Sequence, residues 1–339
     1  MGKIFENEAE DEELLSAIES YKNRAKTFKN VCIIMGGESE EREISLKTGE
    51  AVFSALVKSG FKVEKIVFPP SDINSLKNFD AAFICLHGRY GEDGTVQGLL
   101  EILKIPYTSP DPVVSALFMD KFMTRLVLKE FVPQPRFFMA RSEDEAMNII
   151  DENKINIPFV VKPNFSGSSL GISIVKEKNE KKIREAIREA FKFSSSILIE
   201  EFLDGPEFTV GVFEKMPISA LEIVPKEDEF FSFEAKYKGN TDYIIPPRSV
   251  DREAIEEALR ISRIICEKFD VRGAVRLDFK MKKNDKGRKS KEPYFLELNT
   301  IPGMTERSLL PKLASFRGIN FEDFVSAILG TASLKISKR

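Results

Sequence analysis

The sequence predicts an α/β protein that opens with a doubly wound parallel sheet and continues in a second unit of strands and helices. Three observations carry this. The apolar run Val31-Cys32-Ile33-Ile34-Met35 passes through Gly36-Gly37 into a helical pattern ending near Gly60, the strand–loop–helix start of a parallel unit. Lys62 to Phe68 and Ala81 to Leu86 add two further short strands, so the first hundred residues read as one winding. Beyond residue 110 the strands follow one another through small-residue loops, as in Phe159 to Pro163 and then Ile172 to Val175, which reads as a hairpin. With 339 residues, 42% apolar and 31% charged, the chain has room for two or three domains with substantial cores. A helical extension over 1–29 is expected before the parallel unit, and a second unit from near residue 110.

Composition removes several function classes. A net charge of -3 gives no basic footprint for nucleic acid. The apolar runs, such as Ala81 to Leu86, fall far short of the roughly 18 residues a membrane span needs. The N-terminus has no apolar signal core, and Glu6 stands where a myristoylation signal needs Ser or Thr. A cytoplasmic protein with no nucleic-acid or membrane partner is expected. Cys32, Cys85 and Cys266 match no metal or disulfide spacing and read as core, and His87 is the one histidine available to any mechanism.

Taken in order, residues 1–29 are acidic and lysine-rich, with Leu14, Leu15, Ile18 and Tyr21 at helical spacing. Two loops then sit at the C-terminal edge of the parallel strands, where such sheets bind ligands. One runs from Gly36 to Glu43 and the other from His87 to Gly94, with Asp93 placed to N-cap a helix from Gly94 to Leu103. Its glycines equally suit ordinary turns, and Glu41, in a run of charges, equally suits a solvated face. In the second unit, which begins near Pro110 to Lys121, Lys162 ends a buried strand just before Asn164-Phe165-Ser166-Gly167-Ser168-Ser169-Leu170-Gly171. That loop can cover phosphates as a nest of backbone N–H groups, although the lysine precedes the glycines and this is no P-loop. It also fits a plain hairpin turn. After a helix over Glu180 to Phe191, the strand Ser196 to Leu203 runs into Asp204-Gly205-Pro206-Glu207 and a further strand, Phe208 to Phe213. The connector suits either a nucleoside or a surface hairpin. Glu234 to Tyr243 reads as an exposed loop and lid.

The helix Arg252 to Phe269 leads to two strands that carry chemistry. Period-two geometry puts Arg276 with Asp278 on one face, and Glu297 with Asn299 on one face. If the strands are neighbours, three oxygen ligands and a guanidinium converge. Hard oxygen donors of this kind suit Mg²⁺, while the same spacing fits a buried Arg–carboxylate pair. Pro302-Gly303 then stops the strand and lets a backbone N–H approach a ligand. Between the strands Lys282 to Lys291 reads as a solvated basic hairpin tip, and helices near Leu309 to Ser315 and Phe321 to Leu329 close the chain.

Together these motifs resemble the D-alanine:D-alanine ligases of the ATP-grasp superfamily, in order from about residue 31 to 330. His87-Gly88-x-x-Gly91-Glu92-Asp93-Gly94-x-Val96-Gln97-Gly98 is similar to one family signature. Arg276-Leu277-Asp278 with Leu296-Glu297-Leu298-Asn299-Thr300-x-Pro302-Gly303 is similar to the other. Gly36-Gly37-x-Ser39-x-Glu41-Arg42-Glu43-Ile44-Ser45 and Glu234-Ala235-Lys236-Tyr237 resemble further family motifs.

The resemblance implies an ATP-grasp fold of three domains, a doubly wound α/β domain over 30–109 followed by two α+β subdomains, a central one over 110–198 and a C-terminal one over 199–339, and a two-step reaction for peptidoglycan precursor synthesis. ATP phosphorylates the carboxylate of one D-alanine, and the amine of a second attacks the acyl phosphate. It implies Lys121 and Lys162 on the nucleotide phosphates and adenine, the backbone of Gly167 to Ser169 over the phosphates, Glu200 and Leu203 at the adenine, and Glu207 on the ribose. Lys236 would hold the transferred phosphoryl group. Asp278, Glu297 and Asn299 would bind two Mg²⁺ (or Mn²⁺) ions, with Arg276 and the Gly303 N–H stabilising the oxyanion. Glu41 would take the ammonium of the first D-alanine with His87 nearby, and Ser308 with Leu309 the carboxylate of the second. Tyr237 and Ser168 would hydrogen-bond toward Glu41. Relatives are commonly homodimers. The departures are Phe165 and Ser166, where relatives commonly carry Arg and Glu, the altered spacing from Lys280 onward, and an N-terminal extension with no family counterpart. The alternatives are another acceptor (D-lactate, D-serine or another amino acid), against which Tyr237 resembles the dipeptide-forming branch, and a non-catalytic nucleotide-binding protein.

Overall fold

The computed structural model describes residues 8–226, 241–283 and 291–336. Its first sheet holds β1 (Val31–Gly36), β2 (Val63–Phe68) and β3 (Ala81–Ile84), all parallel and in the order β2-β1-β3. Alternate residues of β1 enter different cores: Val31, Ile33 and Met35 one, Cys32 and Ile34 another. Period two splits the strand between two covered faces, which is why its sequence is apolar throughout. With this strand order the topological switch point lies between β1 and β3, so the loops after those two strands share one crevice.

The first crossover is α2 (Arg42–Lys58), and α3 (Thr95–Leu103) follows the loop after β3. Asp93 is not the N-cap of α3, contrary to expectation. Gly94 holds that position at φ 87°, and a Cβ there would lie 2.4 Å from the Pro112 carbonyl oxygen. Asp93 instead accepts the N–H groups of Tyr90 and Thr95, each at 2.9 Å, and so closes the turn.

Two short helices come next, α4 (Pro112–Met119) and α5 (Lys121–Leu128). Asp111 caps the first through the Val113 and Val114 N–H groups, and Asp120 caps the second through Met123. The middle sheet is antiparallel in the order β4-β7-β5-β6, from β4 (Phe137–Ala140), β5 (Phe159–Pro163), β6 (Ser173–Val175) and β7 (Ile197–Glu201). Helices α6 (Glu143–Asp151) and α7 (Glu180–Phe191) supply Ala146, Ile150, Ile183 and Ile187 to its core. The last sheet is antiparallel, β10-β9-β8-β11-β12, from β8 (Glu207–Phe213), β9 (Met216–Pro225), β10 (Thr241–Ile244), β11 (Ala274–Lys280) and β12 (Tyr294–Asn299). It packs against α8 (Arg252–Lys268) on one face, and α9 (Leu309–Phe316) and α10 (Phe321–Gly330) complete the chain.

The N-terminal segment is more than an extension. In α1 (Glu8–Ala25) Leu14, Ile18 and Ala25 are buried in the core that also holds β1, α9 and α10, and only Leu15 of the four expected apolar residues faces outward, at 46% exposure. Tyr21 packs edge-on against Phe213 at 5.5 Å and donates to Glu214 at 2.9 Å. The expected lid over 234–243 ends in a strand, since Thr241 to Tyr243 pair with β9; its earlier part, with Lys236 and Tyr237, lies outside the described residues, as does 284–290 of the basic insertion. All three cysteines are buried and free.

Candidate active site

Strands β11 and β12 are neighbours, with Arg276 opposite Asn299 and Asp278 opposite Glu297. Of the two readings left open by the spacing, the buried Arg–carboxylate pair is present. Arg276 grips Asp278 with Nε and Nη2, each at 2.9 Å, in a forked pair. Asn299 Nδ2 donates to the same carboxylate at 3.1 Å, and Thr209 Oγ1 of β8 donates to it at 2.6 Å. Glu297 keeps its side chain 29% exposed toward the cleft, 3.6 Å from Lys121 Nζ. Past Pro302-Gly303, Ser308 Oγ accepts the Thr305 N–H at 3.0 Å and is the N-cap residue of α9, so the helix N-terminus at Leu309 faces the same turn as Gly303.

Lys162 stands at the end of β5, buried, with Nζ 2.6 Å from Glu200 Oε2. The loop after it is pinned at its base. Lys121 Nζ donates to the Ser166 carbonyl at 2.6 Å, and Asn164 Oδ1 takes the Phe122 N–H at 2.8 Å. Phe165, one of the departures, is 43% exposed, and at Ser166 the contact to Lys121 is made by the backbone, which needs no particular side chain. Further along, Ser168 and Ser169 take φ of 51° and 59°, so the loop turns sharply there. A cleft of about 110 Å³ opens beside it, lined among others by Lys162, Ser169, Glu200, Leu203, Glu207 and Asp278. Glu207 faces Lys280 at 3.3 Å.

The parallel sheet meets this cleft through Glu41. Only 7% exposed, it is not the solvated residue its sequence context allowed. Ser168 Oγ donates to Glu41 Oε1, and a Cβ on Gly167 would lie 2.6 Å from Oε2. Gly88 approaches the same carboxylate, its ideal Cβ position being 3.0 Å from Oε2. His87 is buried, with Nε2 3.1 Å from Thr48 Oγ1 and its carbonyl accepting from Ser39 Oγ at 2.7 Å. Burial pushes its pKa below the ordinary histidine value, while Glu41 and the Ile301 backbone pull the other way. Glu92 accepts the Gly88 N–H at 2.8 Å, and burial, then Glu41, push its carboxyl up to about 8.

Sequence reasoning therefore brought together Glu41, Ser168, Gly167, Lys162, Glu200, Arg276, Asp278, Glu297 and Asn299. It missed Arg125, Thr209 and Thr48. Arg125 had one signal, its place four residues after Lys121 on a helix, which puts both on one face. The other two had none, because a lone threonine in an apolar segment has no pattern of its own.

Comparison with known proteins matches residues 126–330 to the family described as D-ala D-ala ligase C-terminus and residues 68–110 to its N-terminus. The chain belongs to the D-alanine–D-alanine ligase family. A D-alanine–D-alanine ligase of Geotalea uraniireducens (strain Rf4) is 41% identical over 315 residues, covering 91% of this chain and 97% of that protein. The crystal structure of the Bacillus anthracis enzyme matches with a TM-score of 0.78 at 32% identity, covering 91% of this chain and 99% of that one. The same enzyme complexed with ATP matches at a TM-score of 0.76 and 30% identity, covering 91% and 99%. The family's ATP-grasp fold is thus the fold of this chain: one parallel sheet followed by two antiparallel ones.

Proposed function

We propose that the chain is an ATP-dependent ligase that joins two D-alanine molecules into D-alanyl-D-alanine through a D-alanyl phosphate. The observation that carries the reading is the contact of Glu41, from the parallel sheet, with Gly167 and Ser168 of the loop after Lys162. It puts a candidate amine receptor beside a candidate phosphate loop at the mouth of one cleft. Lys162 and the Gly167 to Ser169 backbone hold the ATP phosphates, with Lys121 fixing the loop from below. Glu200 and Leu203 face the adenine and Glu207 the ribose. Glu41 receives the ammonium of the first D-alanine, so its carboxylate lies toward Arg276 and the Gly303 N–H, which stabilise the developing oxyanion. Ser308 and the N-terminus of α9 receive the carboxylate of the second D-alanine. His87, neutral because buried, backs Glu41. Lys236 and Tyr237 keep the phosphoryl-binding and Glu41-facing roles that the family motif gives them.

The donor set fits Mg²⁺. Asp278, Glu297 and the Asn299 oxygen offer two carboxylates and an amide, and among the described residues no group of three or more His, Cys, Asp or Glu side chains could hold a metal. A cation that fills its shell with phosphates and waters needs no more from the protein. When bound, it supplies neutralisation of the phosphate charge. The family reading extends to a homodimer in the cytoplasm that feeds peptidoglycan synthesis; among the described residues no helix is long and apolar enough to cross a membrane. The test is phosphate release from ATP. It should require D-alanine, and Glu297→Ala should lower it by at least about a thousandfold without unfolding the protein. An active Glu297→Ala enzyme would remove Glu297 from the metal site.

A further inference from the structure

Arg125 is 1% exposed, among the least accessible side chains of the molecule. Its Nε lies 2.9 Å from Glu200 Oε1, its Nη1 donates to the Phe295 carbonyl at 2.7 Å, and its Nη2 has no hydrogen-bond partner among the described residues. The other Glu200 oxygen holds Lys162 Nζ at 2.6 Å. Two cations and one anion thus share the floor of the nucleotide cleft, almost out of water. A Lys162–Glu200 pair alone would be neutral and would offer a polyphosphate little. With Arg125 behind it, the cluster keeps one positive charge in surplus, and of its two cations Lys162 is the one that lines the cleft. Arg125 also grips β12 two residues before Glu297, so one guanidinium joins the middle sheet to the last.

We propose that Arg125 is a positioning residue for the nucleotide: by satisfying Glu200 and holding the Phe295 carbonyl, it leaves the charge of Lys162 available to the phosphates and fixes the two walls of the cleft relative to each other. The inference rests on reading this cleft as the ATP site. Arginine suits the place because its planar fork reaches Glu200 and Phe295 O at once, with the guanidinium 5.9 Å from the centre of the Phe295 ring; a lysine can make only part of this. Burial pushes Lys162 down to about 8, Glu200 pulls it up, and Arg125 and then Lys121 push it down, these being the charged groups that face it.

The test is calorimetric binding of Mg²⁺ with a non-hydrolysable ATP analogue to the full chain, beside steady-state kinetics. Arg125→Met should weaken nucleotide binding more than tenfold and leave the KM for D-alanine within about twofold, with Arg125→Lys in between. The double variant Arg125→Met/Glu200→Gln restores the net positive charge and should recover most of the lost affinity. A purely structural role would not produce that rescue. The alkaline limb of nucleotide affinity should also move to higher pH in Arg125→Met, because a cation next to Lys162 is gone. If Arg125→Met does not fold, the double variant and Arg125→Lys carry the comparison. Nucleotide binding within twofold of wild type in Arg125→Met, or a folded double variant with no recovery, would overturn the inference alone. A wild-type chain that binds no nucleotide would overturn the site reading and this inference with it.

Discussion

A side chain at Gly167 would collide with the carboxylate that the proposed chemistry needs most. The ideal Cβ lies 2.6 Å from Glu41 Oε2, the far end of a side chain that can swing away at little cost to the fold. Gly167→Ala should therefore melt close to wild type yet raise the KM for D-alanine about tenfold or more, because Glu41 leaves its place beside Ser168. An unchanged KM in that variant would detach Glu41 from the amine site. His87 gives a second residue-scale expectation. Its folded pKa is depressed by burial, so below its ordinary value of about 6.5 the unfolded chain binds the extra proton first. Stability from this group is complete above that pH and is lost as pH falls toward the folded value. Denaturant melts of His87→Asn should show a shallower acid slope than wild type; equal slopes would mean that His87 is not held neutral. At this scale Arg276 with Asp278 and Glu297 with Asn299 were legible as same-face pairs because a strand's period of two fixes faces without any structure. Arg125 was not, since an arginine on a short helix usually faces water, and only the fold turns this one inward.

Among the elements, α1 was legible as a helix and illegible as core. Leu14, Leu15, Ile18 and Tyr21 gave the helical spacing, but nothing in residues 1–29 says what the apolar stripe covers. The answer is α10. A Cβ on Gly330 would lie 1.9 Å from the Tyr21 carbonyl oxygen, and backbone cannot swing aside. Gly330→Ala should thus push α1 off α10 and destabilise the protein by about 1–3 kcal/mol, read as a lower denaturation midpoint; an unchanged midpoint would show that α1 is only loosely attached. Strand β9 was not read from the sequence at all. Ser219 and Glu222 make its sequence look mixed, yet Glu222 is 2% exposed because its carboxylate takes the Arg248 and Ser249 N–H groups at 2.8 and 2.9 Å. A buried acid satisfied by a distant loop leaves no local pattern to read.

At the scale of the whole molecule the candidate site lies where three sheets meet. The parallel sheet brings Glu41 and His87 to its switch point, the middle sheet brings Lys162 and the Gly167 to Ser169 loop, and the last sheet brings Arg276, Asp278, Glu297 and Asn299. Such an assembly suits an acyl phosphate, which is hydrolysed unless the groups around it keep water out. The order of the motifs along the chain was enough to suggest this meeting, and the Ser168 to Glu41 contact with it, through family resemblance, whereas a contact such as Arg125 to Phe295 joins residues too far apart in sequence for any local pattern. The most direct test of the account follows the oxygen atoms. D-Alanine labelled with ¹⁸O in its carboxylate should be incubated with the enzyme, ATP and Mg²⁺, and both products weighed by mass spectrometry. The account predicts D-alanyl-D-alanine together with inorganic phosphate carrying one ¹⁸O from the labelled carboxylate. Dipeptide with unlabelled phosphate, or phosphate released without D-alanine, would contradict it.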